Sequence, residues 1–321
     1  MSPEVSAAVV SFNTRDVTLR CLEATEAAAA GPDAALTLVD NGSSDGTVEA
    51  VRREFPAWRV IVLPENPGYG AALNRAFRTT PARLYLALNS DILLQPEALR
   101  ILRGFLDAHP TCGLVGPGLA YPDGRFQPSR KRFPGLGFAV GEVLGVHALL
   151  PRNRWVRRFY YADADPEGTL RVDAVSGAAM LIREEAFRRV QGFDEGFRMY
   201  FEETDLCRRL RAAGFDVALC PAATAIHWYG ASTVKTSVRQ VEYYVSYIRF
   251  FRKHHGRWPA RTLATAVALA TGARMLGLCL RYPPLSGEQA RVLGAKLGAC
   301  ARLLLALRRS TADPRVAEAR P

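Results

Sequence analysis

Short apolar, β-branched runs alternate with longer mixed segments through the first third of the chain. The run VSAAVVS at 5–11 reads as a buried strand, and 14–30 reads as a helix that stops at Gly31-Pro32. A strand at 36–39, a helix at 47–55, a strand at 59–63, a helix at 71–79 and a strand at 84–88 follow. Strands alternating with helices predict βαβ units, hence an α/β chain with a Rossmann-like, mostly parallel central sheet flanked by helices. In such sheets ligands bind beyond the carboxyl ends of the strands. Three polar clusters, at 40–46, 66–70 and 89–91, all follow strands on that edge. Further on, 206–213 reads as a helix ending at Gly214, and three carboxylates, Glu202, Glu203 and Asp205, open it.

The chain has 321 residues and is 49% hydrophobic, enough for one large domain or two modest ones and against wholesale disorder. None of its six cysteines forms a CxxC pair, so they read as free thiols in a reducing compartment. Residues 1–8 lack a basic stretch followed by an apolar run, so no secretory signal is expected. Charge divides the chain: 1–235 holds 27 Lys+Arg and 27 Asp+Glu, whereas 236–321 holds 15 and 4, a net of +11. This predicts a neutral core over 1–235 and a basic helical C-terminal region over 236–321, with a disordered tail after 310.

A basic appendage suits an anionic membrane surface or a nucleic acid. Leu293, Leu297, Cys300, Leu304 and Leu307 recur at helical spacing, with Arg291, Arg302 and Arg309 opposite, the pattern of a helix lying in a membrane interface. No nucleic-acid motif accompanies the charge, so no nucleic-acid partner is expected. The same stripe also suits packing on the domain or on a second copy in a homo-oligomer. The segment 262–280 is largely apolar but carries Arg274 and two glycines, so it either inserts into a membrane or packs on the domain.

The polar clusters have chemical uses. Asp40 can accept hydrogen bonds from a uracil or thymine ring or a ribose hydroxyl, though 40–46 also reads as a plain Asx-rich turn. Gly68 and Gly70 let the backbone come close to a ligand, and the helix after them presents its N-terminus to a phosphate. Asp91 can hold a divalent cation on a diphosphate. The acidic cluster at 202–205 suits a helix dipole, and it also suits a general base. The basic region 121–173 reads as a flexible loop over the phosphates of a ligand or as a solvated charged face.

Taken in order, VVSFN, LVDNGSSDGT, ENPGYGAALN, LNSD, SGAAMLIREEAF, GFDEGFRMYFEETDLCRRL and HWYGAS resemble the family-2 inverting glycosyltransferases with the GT-A fold, most of all their bacterial rhamnosyltransferase branch. The likeness runs over about 5–232. It implies Glu203 as catalytic base, with Glu202 orienting the acceptor and Asp205 in support. It implies a donor set of Asn13, Asp40, Asn41, Asn66, Gly68, Gly70, Asn74, Ser90 and Gly177. It implies a divalent cation, Mg²⁺ or Mn²⁺, on Asn89, Asp91 and His227, where Asn89 departs from the family's acidic residue. The donor implied is a dTDP- or UDP-sugar, foremost dTDP-L-rhamnose, and the acceptor a glycan or polyprenyl-diphosphate-linked sugar. The location implied is cytoplasmic, peripheral on the inner face of the plasma membrane, in cell-envelope glycan synthesis. The alternatives are a hexosyl- or galactofuranosyltransferase using a UDP-sugar, and a non-catalytic nucleotide-sugar-binding protein.

Overall fold

Every residue of the first strand, β1 (Val5–Ser11), is buried, because helices cover both faces of its sheet. The structure, a computed structural model, describes residues 3–29, 33–150, 153–162, 170–228, 236–281, 297–298 and 300–305. After β1 come α1 (Arg15–Ala28), β2 (Ala34–Asp40), α2 (Thr47–Glu54), β3 (Arg59–Val62), α3 (Tyr69–Thr79), β4 (Leu84–Asn89), β5 (Ile92–Leu94), α4 (Ala98–Ala108) and β6 (Cys112–Ala120). Next are β7 (Phe126–Gln127), β8 (Arg130–Lys131), α5 (Leu136–Val143), α6 (Val146–Leu149), α7 (Arg154–Phe159), β9 (Leu170–Arg171), β10 (Ala174–Val175) and β11 (Ala179–Arg183). The last are α8 (Glu184–Arg189), α9 (Glu202–Ala212), β12 (Asp216–His227), α10 (Thr236–His255) and α11 (Arg257–Arg281). The chain divides into two compact units, one of 1–133, 157–198 and 202–233, the other of 134–156, 199–201 and 234–321. The second unit thus takes in two internal segments that the charge break at 235/236 does not signal.

In the first unit the sheet order is β3-β2-β1-β4-β11-β6-β12-β5, with β7 on β6 and β9 on β12. β3, β2, β1 and β4 are mutually parallel, as expected. The other half is mixed: β11 runs antiparallel between β4 and β6, and β12 is parallel to β6 but antiparallel to β5. Alternation along a strand sends successive side chains to opposite faces. Val5, Ala7, Val9, Leu84, Leu86 and Leu88 therefore meet Cys21, Leu22, Val51 and Leu102 from α1, α2 and α4. Ala8, Val10, Tyr85 and Ala87 meet Phe77, Phe187, Leu206 and Leu210 from α3, α8 and α9. Each large side chain fully buried this way contributes roughly 1.5–3 kcal/mol. The carboxyl ends of β2, β3 and β4 consequently open on one edge, where the polar clusters sit.

In the second unit α11 packs on α10 and α5. The aromatic residues of α10 form a core: the Tyr247 ring stacks on Phe201 at 4.5 Å, and Phe250 lies 5.5 Å from Phe201. Glu142 accepts hydrogen bonds from the hydroxyls of Tyr243 at 2.7 Å and Tyr247 at 3.2 Å. Among the described residues no helix is long and apolar enough to cross a membrane. Of the expected interfacial stripe, Cys300 is buried and Leu297 and Leu304 are half-buried, while Leu293, Leu307 and the tail after 310 lie outside the described residues. The described part of that stripe therefore faces protein. Cys21, Cys112, Cys207, Cys220 and Cys300 are buried free thiols. Burial pushes Cys21 and Cys207 up to about 12 and Cys112 to about 11, which leaves them unreactive.

Candidate active site

At the end of β2, Asp40 is fully buried. Its Oδ1 accepts from the backbone N–H groups of Gly42 at 3.1 Å and Ser43 at 2.7 Å. Its Oδ2 accepts from the hydroxyls of Ser11 at 2.8 Å and Ser43 at 2.6 Å. Asp40 thus shapes the loop it begins, as the Asx-turn alternative held. Asn13 adopts a left-handed φ of 51° and its Oδ1 accepts from the Ser44 N–H at 2.8 Å, so it clamps the same loop. Asn41 donates to Asn66 Oδ1 at 3.2 Å, while its own Oδ1 is buried with no protein partner. A buried orphan acceptor is the kind of group that a bound ligand satisfies.

The glycines answer to the chain itself. Gly68 has φ +106°, and a Cβ there would lie 2.2 Å from the carbonyl oxygen of Arg198. A Cβ on Gly70 would lie 2.8 Å from that of Phe193. In the fold, the space that a side chain on Gly68 or Gly70 would need is taken by the 193–198 turn. Asn74 anchors the same turn: its Nδ2 donates to the Phe193 carbonyl and to Glu195 at 2.9 Å each, and its Oδ1 accepts from the Phe193 N–H. Its amide is engaged in the fold. Gly68→Ala should lower the melting temperature by the equivalent of about 2–5 kcal/mol, the combined cost of a strained φ and an overlap with backbone. A melting curve unchanged from the parent would contradict this packing.

β4 delivers Asn89, Ser90 and Asp91. The Ser90 hydroxyl lies 3.0 Å from that of Thr14 and ties this corner to α1. Asp91 Oδ1 lies 3.3 Å from Nε2 of His227, the last residue of β12. His227 Nδ1 lies 3.0 Å from Gln127 Oε1. With the proton on Nδ1 donated to Gln127, Nε2 keeps a lone pair that faces Asp91 and can bind a cation. A carboxylate oxygen beside an imidazole nitrogen fits a divalent cation, and Mn²⁺ more readily than Mg²⁺. Among the described residues no three His, Cys, Asp or Glu cluster together, so such an ion would draw its remaining ligands from the Asn89 amide, water or a diphosphate.

α9 begins with the acid pair. The two residues before it, Tyr200 and Phe201, hold left-handed φ values of 68° and 66°. Two consecutive non-glycine residues in that region cost about 1–3 kcal/mol each, and such strain concentrates at functional sites. Glu202 and Glu203 are both 7% exposed. Their fates differ. Burial, then the charge of Glu203, pushes Glu202 up to about 8, and its Oε2 is buried without a protein partner. Burial alone would also raise Glu203, but the Lys131 ammonium, 2.7 Å from its Oε1, and the Thr204 hydroxyl at 2.9 Å hold it below the usual carboxylate range. At neutral pH Glu202 is therefore a neutral acid and Glu203 an anion. Asp205 turns away: it is fully buried and accepts from Arg209 Nε at 2.7 Å.

Gly177 lies against this pair, and a Cβ on it would sit 3.2 Å from that of Glu203. The Gly177 carbonyl accepts from the Tyr69 hydroxyl at 2.8 Å. Burial raises the Tyr69 phenol well above its ordinary value, and the charges of Glu202, Glu203 and Asp91 raise it further. Tyr69 thus stands within electrostatic reach of both the acid pair and Asp91. Lys131, Gln127 and Tyr69 escaped the sequence reading. Lys131 registered only within a basic stretch, and no local pattern links it to Glu203, 72 positions away. Gln127 sits on a two-residue strand that has no periodicity to read.

A model of the family described as "Glycosyltransferase like family 2" matches residues 3–260. The N-acetylglucosaminyl-diphospho-decaprenol L-rhamnosyltransferase of Mycobacterium tuberculosis (strain H37Rv) is 31% identical over 240 residues, 70% of this chain and 76% of its own length. Rhamnosyltransferase WbbL of Escherichia coli K12 is 38% identical over 101 residues, 31% of this chain and 34% of its own. Among solved structures, mannosyltransferase PcManGT from Pyrobaculum calidifontis, in complex with GDP-Man and Mn²⁺, has a TM-score of 0.56 at 17% identity, covering 95% of this chain and 88% of its own. At that identity it shows a shared fold.

Proposed function

Since the chain belongs to glycosyltransferase family 2 and has the GT-A fold of such enzymes, we propose that it is an inverting rhamnosyltransferase that moves L-rhamnose from dTDP-L-rhamnose to a polyprenyl-diphosphate-linked sugar. The observation that carries this is the anionic, lysine-held Glu203, with Asp91 of the Asp91–His227 corner also within electrostatic reach of Tyr69. The transferred sugar and the acceptor class are those in the name of the M. tuberculosis relative; the dTDP carrier is part of the proposal. The product would serve a cell-envelope glycan, and the enzyme would work peripherally at the cytoplasmic face of the membrane that holds its acceptor.

Glu203 accepts the proton of the acceptor hydroxyl as that oxygen attacks the anomeric carbon. The bond from the anomeric carbon to the diphosphate breaks on the opposite face, and the electron pair leaves with the nucleotide. One displacement inverts the configuration and needs no covalent enzyme intermediate. Glu202, neutral and adjacent, has a hydroxyl to orient the acceptor. Asn41 Oδ1, in the loop beyond β2, meets the nucleoside. Asp91, His227 and Asn89 would hold a divalent cation, which supplies charge neutralisation to the departing diphosphate.

A binding measurement tests the donor half of this reading. dTDP-L-rhamnose with Mn²⁺ should raise the melting temperature of the parent, because a ligand that binds only the folded state stabilises it. Asp91→Ala, or EDTA, should remove most of that rise. An equal rise in EDTA would contradict cation-assisted binding. A larger rise with a UDP-sugar than with the dTDP-sugar would move the proposal to a UDP-dependent hexosyl- or galactofuranosyltransferase.

A further inference from the structure

Helix α11 has two apolar faces, and among the described residues only one is covered by the fold. Ala260, Leu263, Ala264, Val267 and Thr271 are buried, on the side that packs against α10 and α5. Trp258, Leu269, Leu276 and Leu280 are 76%, 67%, 61% and 75% exposed. At 3.6 residues per turn these four fall within about 40° of one another, roughly opposite the buried set, along a line of about 33 Å. Four large apolar side chains exposed in one line exceed the scattered apolar exposure of an ordinary soluble surface.

The charge around this line identifies what covers it. Residues 257–281 contain four arginines, at 257, 261, 274 and 281, and no acidic residue. The Arg261 guanidinium lies 5.5 Å from the centre of the Trp258 ring, beside the stripe. A two-fold contact between two copies would set arginine against arginine, with no acid on the helix to pair them. An anionic bilayer surface offers acyl chains to the stripe and phosphates to its borders, the arrangement of an interfacial helix. Among the described residues no helix is long and apolar enough to cross a membrane, and a one-sided stripe suits a helix that lies in the plane of the interface.

We propose that α11 docks on an anionic bilayer through Trp258, Leu269, Leu276 and Leu280, with Arg257 and Arg261 at the headgroups. The inference rests on the reading that the acceptor is membrane-held, and it moves the contact from the stripe at 293–307 to α11. It also gives the C-terminal charge a definite partner: the lipid surface in which the acceptor is embedded.

The test floats the full-length protein with phosphatidylcholine vesicles, with and without phosphatidylglycerol, and compares it with the triple variant Trp258→Glu, Leu269→Glu, Leu276→Glu. The parent should float with the anionic vesicles. The variant should lose about a hundredfold or more in partitioning, the consequence of withdrawing three large apolar groups from lipid. Its melting temperature and its transfer to a soluble, short-chain acceptor should match the parent. Arg257→Gln with Arg261→Gln, which removes no apolar group, should reduce flotation on anionic vesicles and leave folding intact. Equal flotation of parent and triple variant overturns the inference. So does a parent dimer that the triple variant splits without a change in flotation. A parent that transfers sugar but never floats overturns the membrane location and leaves the transferase reading standing.

Discussion

Glu203→Gln should lower kcat for sugar transfer by about 10²–10⁴-fold, the range for loss of a positioned general base. Nucleotide binding should stay within about twofold, because the amide oxygen still accepts from Lys131 and Thr204 and keeps the local hydrogen bonds. The companion substitution sharpens the assignment. Glu202 is protonated below about 8, so at pH 7 Glu202→Gln replaces one neutral group by another of nearly the same shape and should cost only a few-fold. The pair is thus asymmetric although its sequence, Glu-Glu, is not. Steady-state rates of the two variants at pH 7, beside a direct nucleotide-binding isotherm, check it. A near-normal Glu203→Gln, or a dead Glu202→Gln beside it, would transfer the base role to Glu202.

Lys131→Met should move the acid limb of the kcat/KM profile upward by about 1–3 pH units, the usual effect of removing an opposite charge in contact with a carboxylate. The sign follows from the groups around Glu203. Lys131 and the Thr204 hydroxyl favour its anion; burial and the neighbouring Glu202 oppose it. Tyr69 and Cys207 face the pair as neutral groups, because both are raised by burial. In the parent the base is held below its ordinary 4.5, so activity should stay level until the pH falls beneath that value. Without the ammonium, Glu203 takes a proton sooner, so the rate at pH 7 should fall by no more than about fourfold, the loss should deepen as the pH drops towards about 5, and activity should recover as the pH rises. Lys131→Arg keeps the charge and should restore most of the parent profile. A uniform loss at every pH, with no shift of the limb, would make Lys131 a structural residue only.

The first half of the fold is legible because its physics is local. The buried strand at 5–11, the helix at 47–55 and the strand at 84–88 each follow from periodicity and a flanking turn, and the structure departs from them by a residue or two at the ends. The antiparallel insertion of β11 was hidden, since AMLIR is equally apolar in either direction. The assignment of 134–156 and 199–201 to the C-terminal unit was hidden as well, because packing between distant segments leaves no mark in composition. At the site, the sequence shows the acids but not their environments. Nothing in Glu202-Glu203 says which carboxylate meets a lysine 72 positions away, and nothing in Asn74 says that a turn 119 positions on will occupy its amide. Gly68 and Gly70 are flagged by type, yet their reason, the backbone of Arg198 and the ring of Phe193, lies in the tertiary structure.

A single displacement on a nucleotide-activated rhamnose inverts the configuration at the anomeric carbon. The most direct measurement incubates the protein with dTDP-L-rhamnose, Mn²⁺ and a polyprenyl-diphosphate-linked N-acetylglucosamine, then determines the anomeric configuration of the product by NMR. Rhamnose transferred with configuration opposite to that of the donor is the result predicted. Transfer with the donor's configuration retained, or no transfer to this acceptor while the nucleotide sugar binds, would contradict it.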